Sequence, residues 1–103
     1  MDKISFSSLK DLIPYKIGVV RGYVNTKEFD AADYLNKDEA NDDLTNFRKL
    51  LKNRVDLVIA DKFVGKYVME TNLADDVDKI EFIEPPLENK DFKKTVLYFL
   101  DRS

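Results

Sequence analysis

Two short runs constrain the fold of this chain more than anything else in it. Lys16-Ile17-Gly18-Val19-Val20-Arg21 and Val55-Asp56-Leu57-Val58-Ile59-Ala60 are nearly continuous in aliphatic and β-branched residues. A run of this length that is apolar on both faces predicts a central strand covered on each side. Each run stops at a helix-start signal. Gly22 permits a sharp turn, and Asn25-Thr26-Lys27-Glu28 reads as a capping box with Asn25 as the cap. Asp61 ends the second run and can cap the helix after it.

The remaining pattern fills in around these strands. Phe29, Ala32 and Leu35 recur at the spacing of a short buried stripe. The clearest helical pattern runs from about Asp38 to Asn53. It has Asp38, Glu39, Asp42 and Asp43 at its start, bases at its end, and Leu44, Phe47, Leu50 and Leu51 on its apolar face. After Asp61, the residues Phe63, Val64, Tyr67, Val68 and Thr71 are expected to form the inner face of a third helix, with Gly65 as a packing position inside it. Ile80-Glu81-Phe82-Ile83 reads as a short strand stopped by Pro85-Pro86, Leu87 to Lys90 as a loop, and Thr95 to Leu100 as a last strand. At the front, Ser7 or Ser8 can cap one helical turn before Pro14. Strands alternating with helices predict an α/β fold, a three-layer α/β/α sandwich on a mostly parallel sheet of about four to five strands. The last strand follows another with no helix between them, so it is expected to be antiparallel. A chain of 103 residues supports one core, hence a single domain over residues 1–103.

Composition narrows the function. The chain has no Cys and no His, which removes disulfides, thiolate metal sites, Cys nucleophiles and imidazole acid–base chemistry. It is therefore not expected to be an enzyme or to hold a metal or cofactor. A net charge of -3 predicts no nucleic-acid partner. No apolar run approaches the ~18 residues of a membrane span, and Met1-Asp2-Lys3 does not begin a signal-peptide pattern.

In an open α/β sheet, ligands bind beyond the carboxyl ends of the strands. Two segments meet that condition. Gly22-Tyr23-Val24-Asn25-Thr26 joins a strand to a helix, where backbone N–H groups can hold an anion and Tyr23 can stack on a ligand. Asp61 stands at a strand tip, where a carboxylate can pair with an ammonium group. Arg21 precedes the glycine and is long enough to reach the same cleft. Each segment also has a plain structural reading, as a turn with its cap and as a helix cap.

These residues carry a resemblance. Ser8-Leu9-Lys10-Asp11-Leu12 followed by Lys16-Ile17-Gly18-Val19-Val20-Arg21-Gly22-Tyr23 resembles the start of the second lobe of a bacterial periplasmic solute-binding protein. The closest group is the family 3 extracellular solute-binding proteins of polar amino-acid ABC transporters. Asn53 to Asp61 resembles that family's strand ending in Asp, Lys62 to Val68 its next helix, and Tyr98-Phe99-Leu100 the strand that returns to the first lobe. The resemblance implies one lobe of a two-lobed, periplasmic or extracytoplasmic clamshell whose first lobe is not in this chain. It implies a non-catalytic role in amino-acid transport or signal sensing, with a permease or a signalling domain as partner. Asp61 matches the position that holds the ligand's α-amino group. Where the family often has Gly-Thr-Thr, this chain has Gly22-Tyr23-Val24. An inserted lobe is also expected to be entered and left at the rim carrying Tyr23, Asn25 and Asp61, with Ser5 near Leu100.

Two other classes fit parts of the sequence. Val55 to Asp61 resembles the central strand of a response-regulator receiver domain. A receiver needs an acidic pair after its first strand and a Lys at the tip of its last. This chain has Arg21-Gly22-Tyr23 and Asp101-Arg102 there. A plain α/β interaction domain would instead have its rim residues packed away.

Overall fold

The computed structural model describes residues 6–101. Six strands, β1 (Lys16–Val20), β2 (Asn36–Ala40), β3 (Leu57–Asp61), β4 (Ile80–Phe82), β5 (Glu88–Lys90) and β6 (Lys93–Leu100), form one sheet in the order β2-β1-β3-β6-β4, with β5 also beside β6. β1 pairs in parallel with β2 and β3, whereas β6 is antiparallel to β3, β4 and β5. Five strands thus point one way and β6 alone runs back. The α/β sandwich and the reversed last strand are as the sequence predicts.

Alternation along the strands creates two cores. Ile17, Val19, Leu57, Ile59, Leu97 and Phe99 face one side, under a 3-10 turn (Leu9–Leu12) and α1 (Lys27–Ala31). Val58, Ala60, Val96, Tyr98 and Leu100 face the other, under α2 (Asp43–Leu51) and α3 (Lys62–Asn72). β3 sits between β1 and β6, and all five of its residues are buried. That accounts for its lack of polar alternation.

The structure departs from the sequence reading at four places. Asn36 to Ala40 forms an edge strand, and α2 starts only at Asp43, capped by Asp42. The acids at 38 and 39 therefore belong to a strand, where Asp38 pairs with Lys49 of α2 at 3.3 Å. Glu88 to Lys90 is a strand paired with the start of β6 rather than a loop. The cap of α1 is Thr26, whose Oγ1 accepts from the Phe29 N–H at 3.1 Å, while Asn25 donates its own N–H to Asp30 Oδ2. Finally, α3 is rotated. Gly65 and Met69 are buried, whereas Phe63, Val64 and Tyr67 are exposed. A Cβ on Gly65 would lie 2.6 Å from the Tyr98 ring. The helix thus rests on the sheet at its glycine, and its bulkier residues turn outward.

Chain entry and exit also differ from expectation. Tyr98 pairs with Val58, so Leu100 lies two residues further toward the amino end of β3, level with Asp56. Asp56 Oδ2 accepts from the Lys16 N–H at 2.9 Å. The start of β1 and the end of β6 therefore share the amino rim, opposite Asp61. The reversal of β6 delivers the chain there. Ser5, named in the expected pairing with Leu100, lies outside the described residues.

One contact tests the packing. Gly18 of β1 faces Asn46 of α2, and an added Cβ would meet Asn46 Oδ1 at 2.8 Å. Asn46 is fully buried, with no partner for its side-chain polar atoms among the described residues. Gly18→Ala is expected to destabilise the fold by about 1–3 kcal/mol through overpacking. Asn46→Ala should be nearly neutral, because removing an unpaired buried amide offsets the lost packing. In the Asn46→Ala background the cost of Gly18→Ala should largely vanish. Urea denaturation of the four proteins measures this coupling.

Candidate functional site

The register brings three segments to one rim. β1 and β3 are parallel neighbours, so the Gly22 turn and Asp61 emerge at the same end. Thr95 of β6 pairs with Asp61, so the turn between β5 and β6, with Phe92 at its tip, lies there too. Gly22 has φ 78, the left-handed region that a residue with a Cβ rarely adopts. The turn therefore depends on that glycine.

Asp61 ties these segments together. Its Oδ2 accepts from the Phe63 N–H at 3.1 Å and the Val64 N–H at 2.9 Å, and its Oδ1 accepts from the Lys94 N–H at 3.0 Å. It is 9% exposed. One carboxylate thus caps α3 and also fastens the start of β6. Nearby, Lys93 Nζ donates to the Val24 carbonyl at 3.3 Å and lies 5.1 Å from the centre of the Tyr23 ring. Lys93 joins β6 to the β1 turn across the rim.

Three further side chains lie near this end of β3. Tyr98 donates its hydroxyl to the Lys62 carbonyl at 2.6 Å. Burial, with Asp61 and Asp43 nearby, pushes its pKa far upward, so it stays a donor. Burial, then Asp42 and Asp61, raises the Asp43 carboxyl above its ordinary range. Bonding to Thr45 lowers that of Asp42.

The residues singled out by sequence divide into three groups. Gly22, Tyr23 and Val24 are exposed on the rim, and Asp61 supports it from below. Asn25 and Thr26 are buried under the turn, and Asn25 Oδ1 has no partner among the described residues. Arg21 turns toward β2, the side of β1 away from β3, where it meets Glu39 at 3.4 Å and Asn41 at 3.1 Å. Exposed pairs of this kind contribute little. The turn is a weaker anion cradle than its sequence implies, since the Tyr23 N–H is bonded to the Val20 carbonyl and the Asn25 N–H to Asp30. A cleft of about 140 Å3 lies between the turn and β2, lined by Gly22, Tyr23, Asn25, Asp30 and Lys37 among others. Among the described residues, no group of three or more carboxylates is placed to hold a metal ion.

Sequence reasoning missed Phe63, Val64, Phe92 and Lys93. Eight large apolar side chains are exposed among the described residues, and five of them are Tyr23, Val24, Phe63, Val64 and Phe92. Phe92 is the most exposed, at 84%. The signal for Phe63 and Val64 was Gly65, which marks the face of α3 that touches the sheet. The signal for Phe92 was an aromatic set between Asp91 and Lys93. The protein-family models, curated proteins and solved structures contain no match to this chain. Among the described residues, no helix is long and apolar enough to cross a membrane.

Two variants test the electrostatics of the rim. Asp61→Ala loses a helix cap and the bond to β6, and is expected to cost about 2–4 kcal/mol in urea denaturation. Asp61→Asn keeps one acceptor oxygen and should fall between Ala and the parent. For Asp43, the raised folded pKa means that its contribution is present below the ordinary 3.8 and is lost as pH rises through the folded value. At pH 7 the ionised Asp43 is therefore destabilising. Asp43→Asn should raise the thermal midpoint at pH 7, with the gain disappearing near pH 3.

Proposed function

We propose that this chain is a non-catalytic ligand-binding lobe whose carboxyl rim contacts a small amino-acid-type solute. It would act as one side of a two-lobed solute-binding protein or extracytoplasmic sensor, as its resemblance to the family 3 extracellular solute-binding proteins implies. Its partners would then be a transporter permease or a signalling domain. The observation that carries the reading is the concentration of exposed side chains, Tyr23, Val24, Phe63, Val64 and Phe92, at the end of the sheet where α/β folds bind ligands. Such apolar surface is unfavourable in water unless a ligand or an opposing face covers it.

The rim is half of a cleft in this reading, so binding must overcome the entropy of association with only half the contacts. Titrating the 103-residue chain with the common amino acids, followed by amide NMR shifts, is expected to give dissociation constants of about a millimolar or weaker. The shifts should centre on Gly22 to Thr26, Phe63, Val64 and Phe92 to Lys94. Micromolar binding would overturn the half-cleft reading. Shifts centred away from the rim, or none at tens of millimolar, roughly the weakest binding relevant here, would overturn the ligand face itself.

A further inference from the structure

The polar groups of the rim are unequally committed. Three of its carboxylates accept from backbone N–H groups. Asp61 accepts three, Asp30 accepts one from Asn25 at 3.0 Å, and Asp42 accepts one from Thr45 at 2.8 Å. Asp43 is half-buried beside Asp42 and Asp61. Asp91 stands in the exposed turn beside Phe92, at the outer margin. An incoming ammonium group therefore finds Asp61, Asp30 and Asp42 already engaged. Lys93 is in the opposite position. An ammonium has three N–H donors, and Lys93 directs one contact, at 3.3 Å, to a neutral carbonyl. Lys93 also lies over Tyr23, so a carboxylate reaching it would bring the rest of its molecule against Tyr23 and Val24. Phe63 and Phe92 stand exposed on the same rim.

We infer that the rim takes a carboxylate with an apolar or aromatic body, held through Lys93, and does not read an α-amino group. This narrows the ligand-binding reading given above and rests on it. The aromatic rings supply apolar contact, and Lys93 supplies a charged donor beside them with N–H groups to spare. Asp61 acts as the support of the rim, through the backbone of α3 and β6.

Four probes separate the possibilities: 3-phenylpropionate, phenylalanine, 2-phenylethylamine and glutamine, each titrated into the 103-residue chain by amide NMR. Phenylpropionate is expected to bind at the rim at least as tightly as phenylalanine. Both should bind roughly threefold to tenfold more tightly than glutamine or phenylethylamine, the range for one partly exposed charge-assisted bond plus ring contact. Lys93→Met keeps the apolar stem and should weaken phenylpropionate binding by about the same factor, while Lys93→Arg should retain it. Phe92→Ser alters an exposed turn position and should weaken both aromatic acids with the fold intact. If phenylethylamine or glutamine binds the rim as well as phenylpropionate, or if Lys93→Met binds unchanged, this ligand class is overturned while the rim remains a ligand face. If none of the four, nor any other amino acid, shifts the rim, both readings fall.

Discussion

The Asp61 carboxylate is bonded to the backbone of two elements that depart from the end of β3 in different directions. Through Phe63 and Val64 it starts α3, and through Lys94 it fixes the first residues of β6. Without these bonds, three buried or half-buried N–H groups and one buried carboxylate would lose their partners together. α3 carries Gly65 onto Tyr98, and β6 carries Lys93 to the Val24 carbonyl. The positions of Phe63, Val64 and Lys93 on the carboxyl rim thus follow from where this one anion sits.

Much of this architecture is legible in the residues, for a physical reason. β1 and β3 are buried on both faces, and only a sequence apolar at consecutive positions can satisfy that. Asp61 as cap, Gly65 as a packing position and the reversal of β6 follow from equally local rules. β2 was hidden because an edge strand needs no apolar alternation. Asn36-Lys37-Asp38-Glu39 takes its stability from pairing with β1, and its acids imitate the first turn of α2. β5 was hidden similarly, because three polar residues gain their structure from β6.

The rim was half legible. Gly22 to Val24 and Asp61 were found by the rule that places sites beyond strand ends. Phe63 and Val64 read as core residues in the sequence, because aromatic and aliphatic residues in a short helix usually belong there. What decides their direction is a close approach across the chain, Gly65 against the Tyr98 ring, whose hydroxyl is held by the Lys62 carbonyl. No local periodicity contains that contact. The same rotation that seats the glycine on the sheet presents two apolar side chains at the open end.

The polar character of β2 has a consequence for how the protein behaves among copies of itself. A terminal strand of a sheet leaves a row of N–H and C=O groups ready to pair with another chain. Here that row is flanked by charge. Lys37 bonds to the Phe29 carbonyl, Asp38 pairs with Lys49, and Glu39 pairs with Arg21. A second molecule docking edge to edge would have to break these pairs or bury them. At the other margin, β4 and β5 are each only three residues long, too brief to template a stable addition. The sheet is thereby guarded against self-association at both margins, while its apolar surface is gathered at the strand ends, where an added strand cannot pair.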